Sequence, residues 1–288
     1  MDNNSEETVT MNEAERSEFS SYIANRFEGC EEDPSQDTSF LIPWEGIVFY
    51  AGIAGAAEAI NSKVIPKRPV IFRSPDLVSI SIEDSFAGQI PVISVKDPLD
   101  FEDLVTNTVY KGIRPDNLEK TGASFVFGKT TRFIIVSAKP YSNVPASDLG
   151  LEDAEWAEKS LKLRFGHECT HYYTKQTFGI SNNILHDEIM ADFTGLYEAF
   201  GFYRAEWFLR FMGLVGESGG RLIFYTKDLS EKVRNSVSSL LTKAAYGLEE
   251  WSRTEEFCSL SVAGRINRMC RLGLEGMCSM TGQSEKNI

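Results

Sequence analysis

The sequence lacks long apolar runs, an excess of basic residues and any regular cysteine spacing. No apolar stretch approaches the 18 or more residues that a membrane-spanning helix needs, so no membrane association is predicted. The 29 lysines and arginines are outnumbered by 42 aspartates and glutamates and form no basic patch, which argues against nucleic acid as a partner. The five cysteines are odd in number, contain no CxxC pair and suit a reducing compartment. Because the N-terminus shows no basic segment followed by an apolar one, no secretory signal is predicted and a cytoplasmic location is expected.

The chain does contain enough apolar material for a folded core, and its N-terminal stretch is strongly acidic. With 288 residues, 42% of them hydrophobic, it can hold one large domain or two modest ones. Residues 1–39 carry eleven acidic groups against two arginines, a net −9 of the −13 for the whole chain. We predict that residues 1–38 form an acidic, partly disordered arm around one helix at 12–27, with a linker at 31–35. The arm is interpreted as a solubilising tail, with a regulatory or pro-segment role as the alternative.

The rest of the chain predicts an α+β fold. Residues 39–145 alternate short β-branched runs with helical pieces and predict a subdomain with a small sheet, whereas residues 146–288 predict a helical subdomain. A helix is predicted at 98–110 after an Asp-Pro start, and the apolar stretch 46–60 is interpreted as a buried helix. The predicted strands are residues 70–73, 77–82, 90–95, 124–127 and 132–136, the last two forming a hairpin.

All three histidines lie within twenty residues, and two of them belong to the motif His167-Glu168-Cys169-Thr170-His171. On a helix, residues four apart lie on the same face, so the two imidazoles can share one Zn²⁺ at about 2.0–2.1 Å. Glu168 lies about 100° around the helix from His167 and could take a proton from a water held by the metal. Apolar residues recur at three- and four-residue steps around the motif, which predicts a helix over residues 152–177.

A catalytic zinc usually takes a third protein ligand, for which His186, Asp187 and Glu188 are the candidates. If a second helix starts after the N-cap Asn183 and returns antiparallel, Glu188 comes to about the level of His171. Glu188 is therefore preferred. His186 would point away, about 200° around the helix, and it stays an alternative together with Asp187.

A supporting carboxylate follows one turn later. Asp192 should lie level with His167, where it can accept the second ring N–H of that histidine and fix its orientation. Gly195 and Ala199 continue the same face of the helix. These small residues would let the two helices approach closely, so residues 146–288 are predicted to be a metal-binding subdomain.

The pattern His167-Glu168-x-x-His171 followed by Glu188-x-x-x-Asp192 resembles the gluzincin class of zinc metallopeptidases, the thermolysin-like arrangement. The resemblance implies that His167, His171 and Glu188 bind one Zn²⁺ per chain. It also implies that Glu168 is the general base and that Asp192 supports a ligating histidine. A zincin-like fold and hydrolysis of a peptide or protein substrate follow as expectations. The Gly-x-Met-Glu-Asn signature of gluzincin aminopeptidases is absent from the sequence, so exopeptidase specificity has no support.

The expected mechanism also needs a donor for the oxyanion and a wall that aligns the substrate. No further histidine is left, so tyrosine or arginine must serve, and the candidates are Tyr203, Arg204, Arg221, Tyr225 and Tyr246. The hairpin at 124–136 is expected to offer an edge strand that pairs with an extended peptide. Two alternatives stay open: buried structural histidines in a helical bundle, or a catalytically inactive zincin-like protein that acts as a binding or scaffold module. The sequence does not indicate the oligomeric state.

Overall fold

The computed structural model describes residues 11–32, 37–116, 118–128, 131–180 and 184–280, and these have the predicted α+β fold. A four-stranded mixed sheet with helices forms the N-terminal half, and the C-terminal half is mostly helical. The strands are β1 (Val78–Ser85), β2 (Gly88–Val95), β3 (Ala123–Phe127) and β4 (Arg132–Ser137). The helices are α1 (Glu13–Ile23), α2 (Leu41–Ala54), α3 (Ala56–Ala59), α4 (Pro98–Thr108), α5 (Asp153–Phe178), α6 (Leu185–Phe200), α7 (Ala205–Met212), α8 (Leu222–Thr226), α9 (Glu231–Trp251), α10 (Glu255–Ser259) and α11 (Val262–Met277). Within these ranges, no helix has both the length and the apolarity to cross a bilayer.

The sheet has the strand order β1-β2-β4-β3, so β3 lies at an edge. β1 and β2 form an antiparallel hairpin, β2 and β4 run parallel, and β3 pairs antiparallel with β4. Because side chains alternate between the faces of a strand, the central strands β2 and β4 contribute to two cores. One core includes Trp44 of α2 and Phe101 of α4, and the other includes Cys169 and Tyr172 of α5. The motif helix therefore packs directly on the sheet.

Several elements of the N-terminal half form where the sequence predicts them. The strands predicted at 77–82 and 90–95 are β1 and β2, and the predicted hairpin is β3 with β4. Residues 129 and 130, which follow β3 in the sequence, lie outside the described residues. α4 begins at Pro98 because the side chain of Asp97 accepts the first free N–H groups of the helix.

The strand predicted at residues 70–73 is wrong, because side chains take up backbone groups of this segment. The side-chain amide of Asn61 accepts the N–H of Val70 at 2.8 Å and donates to its carbonyl oxygen at 2.9 Å. The carboxylate of Asp100 accepts the N–H of Arg73 at 2.9 Å. These side chains bond backbone groups that a neighbouring strand would otherwise bond. Residues 70–73 therefore do not have to join the sheet to satisfy them.

The stretch 46–60 is largely helical, as predicted, but the prediction that this helix is buried is wrong. α2 packs through Trp44, whereas Phe49 and Ile53 are 74% and 71% exposed. Within 46–60, only Ala59 and Ile60 are buried. Nearly every residue of this stretch is apolar, so the sequence carries no periodicity that separates a buried face from an exposed one.

Residues 11–32 of the acidic arm pack against the helical half. Its helix α1 begins with a capping box. Phe27 is buried in the main core, and the hydroxyl of Tyr22 donates to the carbonyl oxygen of Tyr225 at 3.1 Å. These residues are therefore not a solvated tail. Other parts of the arm and of the predicted linker lie outside the described residues.

The helical half is organised around α5 and α6. α5 begins after Glu152 and ends at Gly179, whose φ of 71° is the left-handed conformation typical of a helix end. α6 begins after Ile184, and Asn183, its predicted N-cap, lies outside the described residues. α7, α9 and α11 pack against α6.

Glycines allow α5 and α6 to approach closely. A Cβ atom on Gly195 would lie 2.5 Å from the carbonyl oxygen of Leu163, and one on Gly166 would lie 3.0 Å from Cα of Gly195. Neither position has room for a side chain without movement of the facing backbone. The role predicted for Gly195 is confirmed by this contact.

Replacing Gly195 by alanine should push the helices apart and lower the free energy of unfolding by about 1–3 kcal/mol. Urea denaturation followed by circular dichroism measures the change. Gly46→Ala is the matched control, because this glycine is also helical but nothing lies within 4 Å of a Cβ there. The control should keep the stability or raise it by up to about 1 kcal/mol. Equal denaturation midpoints for Gly195→Ala and the wild type would contradict the packing argument.

Candidate metal site

Two histidines of α5 and one glutamate of α6 bring their ligand atoms together in the interior. The Nε2 atoms of His167 and His171 lie 3.0 Å apart. Glu188 places Oε2 at 3.7 Å from Nε2 of His167 and Oε1 at 3.6 Å from Nε2 of His171. All three side chains are buried. Among the described residues, these three form a group whose ligand atoms all lie within 4.8 Å of one another.

The spacing of these atoms suits a tetrahedral metal ion. Ligands at about 2.0–2.1 Å from a tetrahedral zinc lie about 3.3–3.4 Å from one another. The two imidazole nitrogens are 3.0 Å apart and lie 3.7 and 3.6 Å from different oxygens of Glu188, which is close to that distance. With one ligand atom taken from each side chain, all three lie within 4.8 Å of one another. Burial and the neighbouring His167 lower the pKa of His171 to about 3, so this imidazole is neutral and can offer a lone pair. The residues present therefore fit Zn²⁺ with one coordination position left over.

A carboxylate behind His167 fixes the orientation of that ring. Asp192 Oδ1 accepts the Nδ1–H of His167 at 2.8 Å, which leaves Nε2 directed toward His171 and Glu188. Burial alone would raise the pKa of Asp192, but the ion pair with Arg221 and the hydrogen bond from His167 outweigh it and lower the pKa. Asp192 therefore stays ionised. It lies level with His167, as the helix register predicts.

Tyr141 and Arg164 complete the support of His167. The hydroxyl of Tyr141 donates to Asp192 Oδ1 at 2.5 Å and lies 2.9 Å from Nδ1 of His167. Arg164 donates to three carbonyl oxygens, one at the end of β4 and two in the loop that follows it. Ser160 Oγ accepts the N–H of Tyr141 at 3.0 Å. Sequence reasoning misses Tyr141, because nothing in its spacing relates it to the motif. The two residues that anchor Tyr141 do carry a sequence signal, because Ser160 and Arg164 lie on the same face of α5 as His167 and His171.

The two alternative third ligands do not join the group. Nε2–H of His186 donates to the carbonyl oxygen of Met269 at 3.1 Å, and the ring packs edge-on against Phe27. Burial lowers the pKa of His186 to about 4, so the ring is neutral at physiological pH. Asp187 is buried, but in the described part of the chain the converging carboxylate is that of Glu188.

Glu168 lies beside the group and lines the same cavity. Burial is the largest effect on its carboxyl and raises its pKa. Glu188 acts in the same direction, while His167 and Arg164 oppose it. A raised pKa brings this carboxylate closer to the range in which it can accept and return a proton at neutral pH.

The cavity has a volume of about 500 Å³ and includes the three converging residues in its wall. The edge strand β3 contributes Ala123, Ser124 and Phe125. Arg221 and Tyr225, at α8, line it as well. The hairpin predicted as a substrate wall therefore lies beside the converging side chains.

The structure separates the five predicted oxyanion donors. Arg221 and Tyr225 reach the cavity. Tyr203 is buried in the core, the guanidinium of Arg204 lies over aromatic rings next to α7, and Tyr246 is exposed on α9. The last three do not reach the site.

Residues 129–281 match the model of a family of unknown function, DUF7005. The match covers 153 of the 288 residues, and the chain belongs to this family. The matched region includes α5, α6 and α8, whereas β1, β2 and β3 precede it. No curated protein and no solved structure matches the chain.

Substitution of Glu188 and of His186 by glutamine should show which of the two residues is the third zinc ligand. Glu188→Gln should weaken zinc binding more than Asp192→Asn, for which we expect a loss of about 10–100-fold. His186→Gln is the matched control and should bind zinc as the wild type does, since its ring is bonded elsewhere. Competition with a chromophoric chelator measures these affinities. Normal binding by Glu188→Gln together with a loss in His186→Gln would contradict the assignment.

Proposed function

We propose that this member of the DUF7005 family is a zinc-dependent metallopeptidase in which His167, His171 and Glu188 hold one Zn²⁺ and Glu168 is the general base. One observation carries the proposal: two imidazoles and a carboxylate converge at the wall of a cavity that also presents Glu168. The resemblance to gluzincins implies the same constellation.

The residues around the ion divide the work of peptide hydrolysis. A bound Zn²⁺ supplies Lewis acidity, which polarises the substrate carbonyl and lowers the pKa of a coordinated water. Glu168 accepts the proton of the attacking water and passes it to the leaving amine. Because Glu168 follows His167 directly on α5, the helix holds the base next to the ligand group. Asp192 and Tyr141 keep the His167 ring in place.

Tyr225 is the better placed donor for the oxyanion. The guanidinium of Arg221 is already engaged: it donates to Asp192, lies 3.3 Å from the hydroxyl of Tyr141 and lies 3.7 Å from Glu188. Burial, the charge of Glu188 and a hydrogen bond to that carboxylate raise the pKa of Tyr225, so its phenol keeps its proton. The phenol can exchange this one bond for a bond to the oxyanion. A positioned donor of this kind stabilises the charge that develops on the carbonyl oxygen.

An extended peptide is the substrate class that the cavity favours. β3 pairs with β4 on one side, and its residues line the cavity. The free edge of a strand offers backbone N–H and C=O groups in the spacing that another extended chain needs. A peptide paired with β3 would pass along the wall that holds the metal ligands and Glu168.

The Glu168→Gln variant tests the proposed function. It should keep one zinc per chain and lower kcat by about 10²–10⁴-fold, because the base is lost while the ligands stay. Zinc is measured by elemental analysis, and cleavage by mass spectrometry of a mixed peptide library. Glu158→Gln is the matched control, an exposed carboxylate on the same helix, and it should cleave as the wild type does.

Four outcomes count against the peptidase. Cleavage that survives chelation, or that is unchanged in Glu168→Gln, would come from another site or a contaminant. A chain that folds without taking up zinc would favour the structural histidines. A chain that holds zinc but cleaves no peptide would favour the inactive zincin-like alternative.

A further inference from the structure

Among the described residues, three cationic side chains line the cavity, and two of them are held by the protein itself. Arg164 donates to three backbone carbonyl oxygens. Arg221 is paired with Asp192 and lies close to Glu188. Both guanidinium groups therefore have a structural task within the protein.

Lys120 is the third cation, and its surroundings differ. It is exposed at the end of a short 3₁₀ turn, just before β3. Its Nζ atom lies 5.3 Å from the ring centroid of Phe224 on α8. The ammonium group of Lys120 lies over this aromatic ring and forms no salt bridge with a carboxylate of the described residues. A cation over an exposed ring is held weakly. A carboxylate that enters the cavity can therefore replace the ring of Phe224 as the partner of Lys120.

Lys120 lies beside the path that a peptide bound along β3 would follow. The cavity wall continues without a break from Lys120 through residues 121 and 122 into β3. Phe224 directly precedes Tyr225 on α8, so the Lys120–Phe224 contact spans from the β3 side of the cavity to the α8 side. A peptide that follows the edge of β3 must pass this ammonium group.

We propose that Lys120 sets substrate specificity by pairing with a carboxylate of the peptide bound along β3. This inference rests on the proposed function and adds the substrate class, a peptide with a carboxylate near the amino end of β3. The carboxylate comes from an aspartate or glutamate side chain or from the C-terminus of the substrate.

A charge reversal at Lys120 tests this assignment. The probes are dye-labelled alanine hexapeptides with Glu, Gln or Lys at each position in turn, each made with a free or an amidated C-terminus. Binding is measured by fluorescence anisotropy on full-length, zinc-loaded Glu168→Gln protein, which should bind without turnover. We expect Glu or free-acid peptides to bind about 5–10-fold more tightly than their Gln or amide counterparts. The pair of peptides that shows the difference identifies the source of the carboxylate.

The variants make the test specific. Lys120→Ala should remove the preference, and Lys120→Glu should reverse it in favour of lysine peptides. Lys162→Glu is the matched control, an exposed lysine of α5 that does not line the cavity, and it should leave the preference unchanged. A preference for carboxylates that persists in Lys120→Glu, equal affinities in the wild type, or no peptide binding at all would overturn the proposal.

The two proposals fail separately in this experiment. Zinc-dependent cleavage by the wild type without any preference for a carboxylate would leave the peptidase and remove the role of Lys120. A preference that depends on Lys120 in a protein that cleaves no peptide would leave the binding site and remove the peptidase.

Discussion

The contact between Gly166 and Gly195 sets the spacing of α5 and α6, and the rest of the site depends on that spacing. Any side chain at either position would meet the facing helix. At the present spacing, the carboxylate of Glu188 reaches the two imidazoles of the opposite helix. Wider separation would leave buried polar groups without partners, which is costly in a protein interior. The geometry of the three candidate ligands is thus a consequence of helix packing.

Charge compensation behind the candidate ligands is the second requirement. Asp192 is fully buried, and an isolated carboxylate there would be strongly unfavourable. Arg221, Tyr141 and the Nδ1–H of His167 supply the compensation, so the ring of His167 is oriented by the same bonds that make the buried charge tolerable. In our account, this network prepares the ligands for the ion, and it ties α8 and the loop after β4 to the pair of helices.

The sequence predicts the parts of this site that follow from helix geometry. The spacing of the motif and the return register are enough to bring Glu188 and Asp192 to the histidines, because both depend on a fixed rise and rotation per residue. Tyr141 is beyond such reasoning, since its position depends on how the sheet packs against α5. The error at residues 70–73 has a similar origin: β-branched residues predict a strand, but Asn61 and Asp100 bond the backbone instead.

X-ray absorption spectroscopy at the zinc edge of the purified full-length protein tests the central claim most directly. Our account predicts nitrogen and oxygen neighbours at about 2.0–2.1 Å, with the outer-shell signals of two imidazoles. A sulfur neighbour at about 2.3 Å would place the metal on a cysteine such as Cys169 and contradict the account. Folded protein that takes up no zinc would contradict it as well.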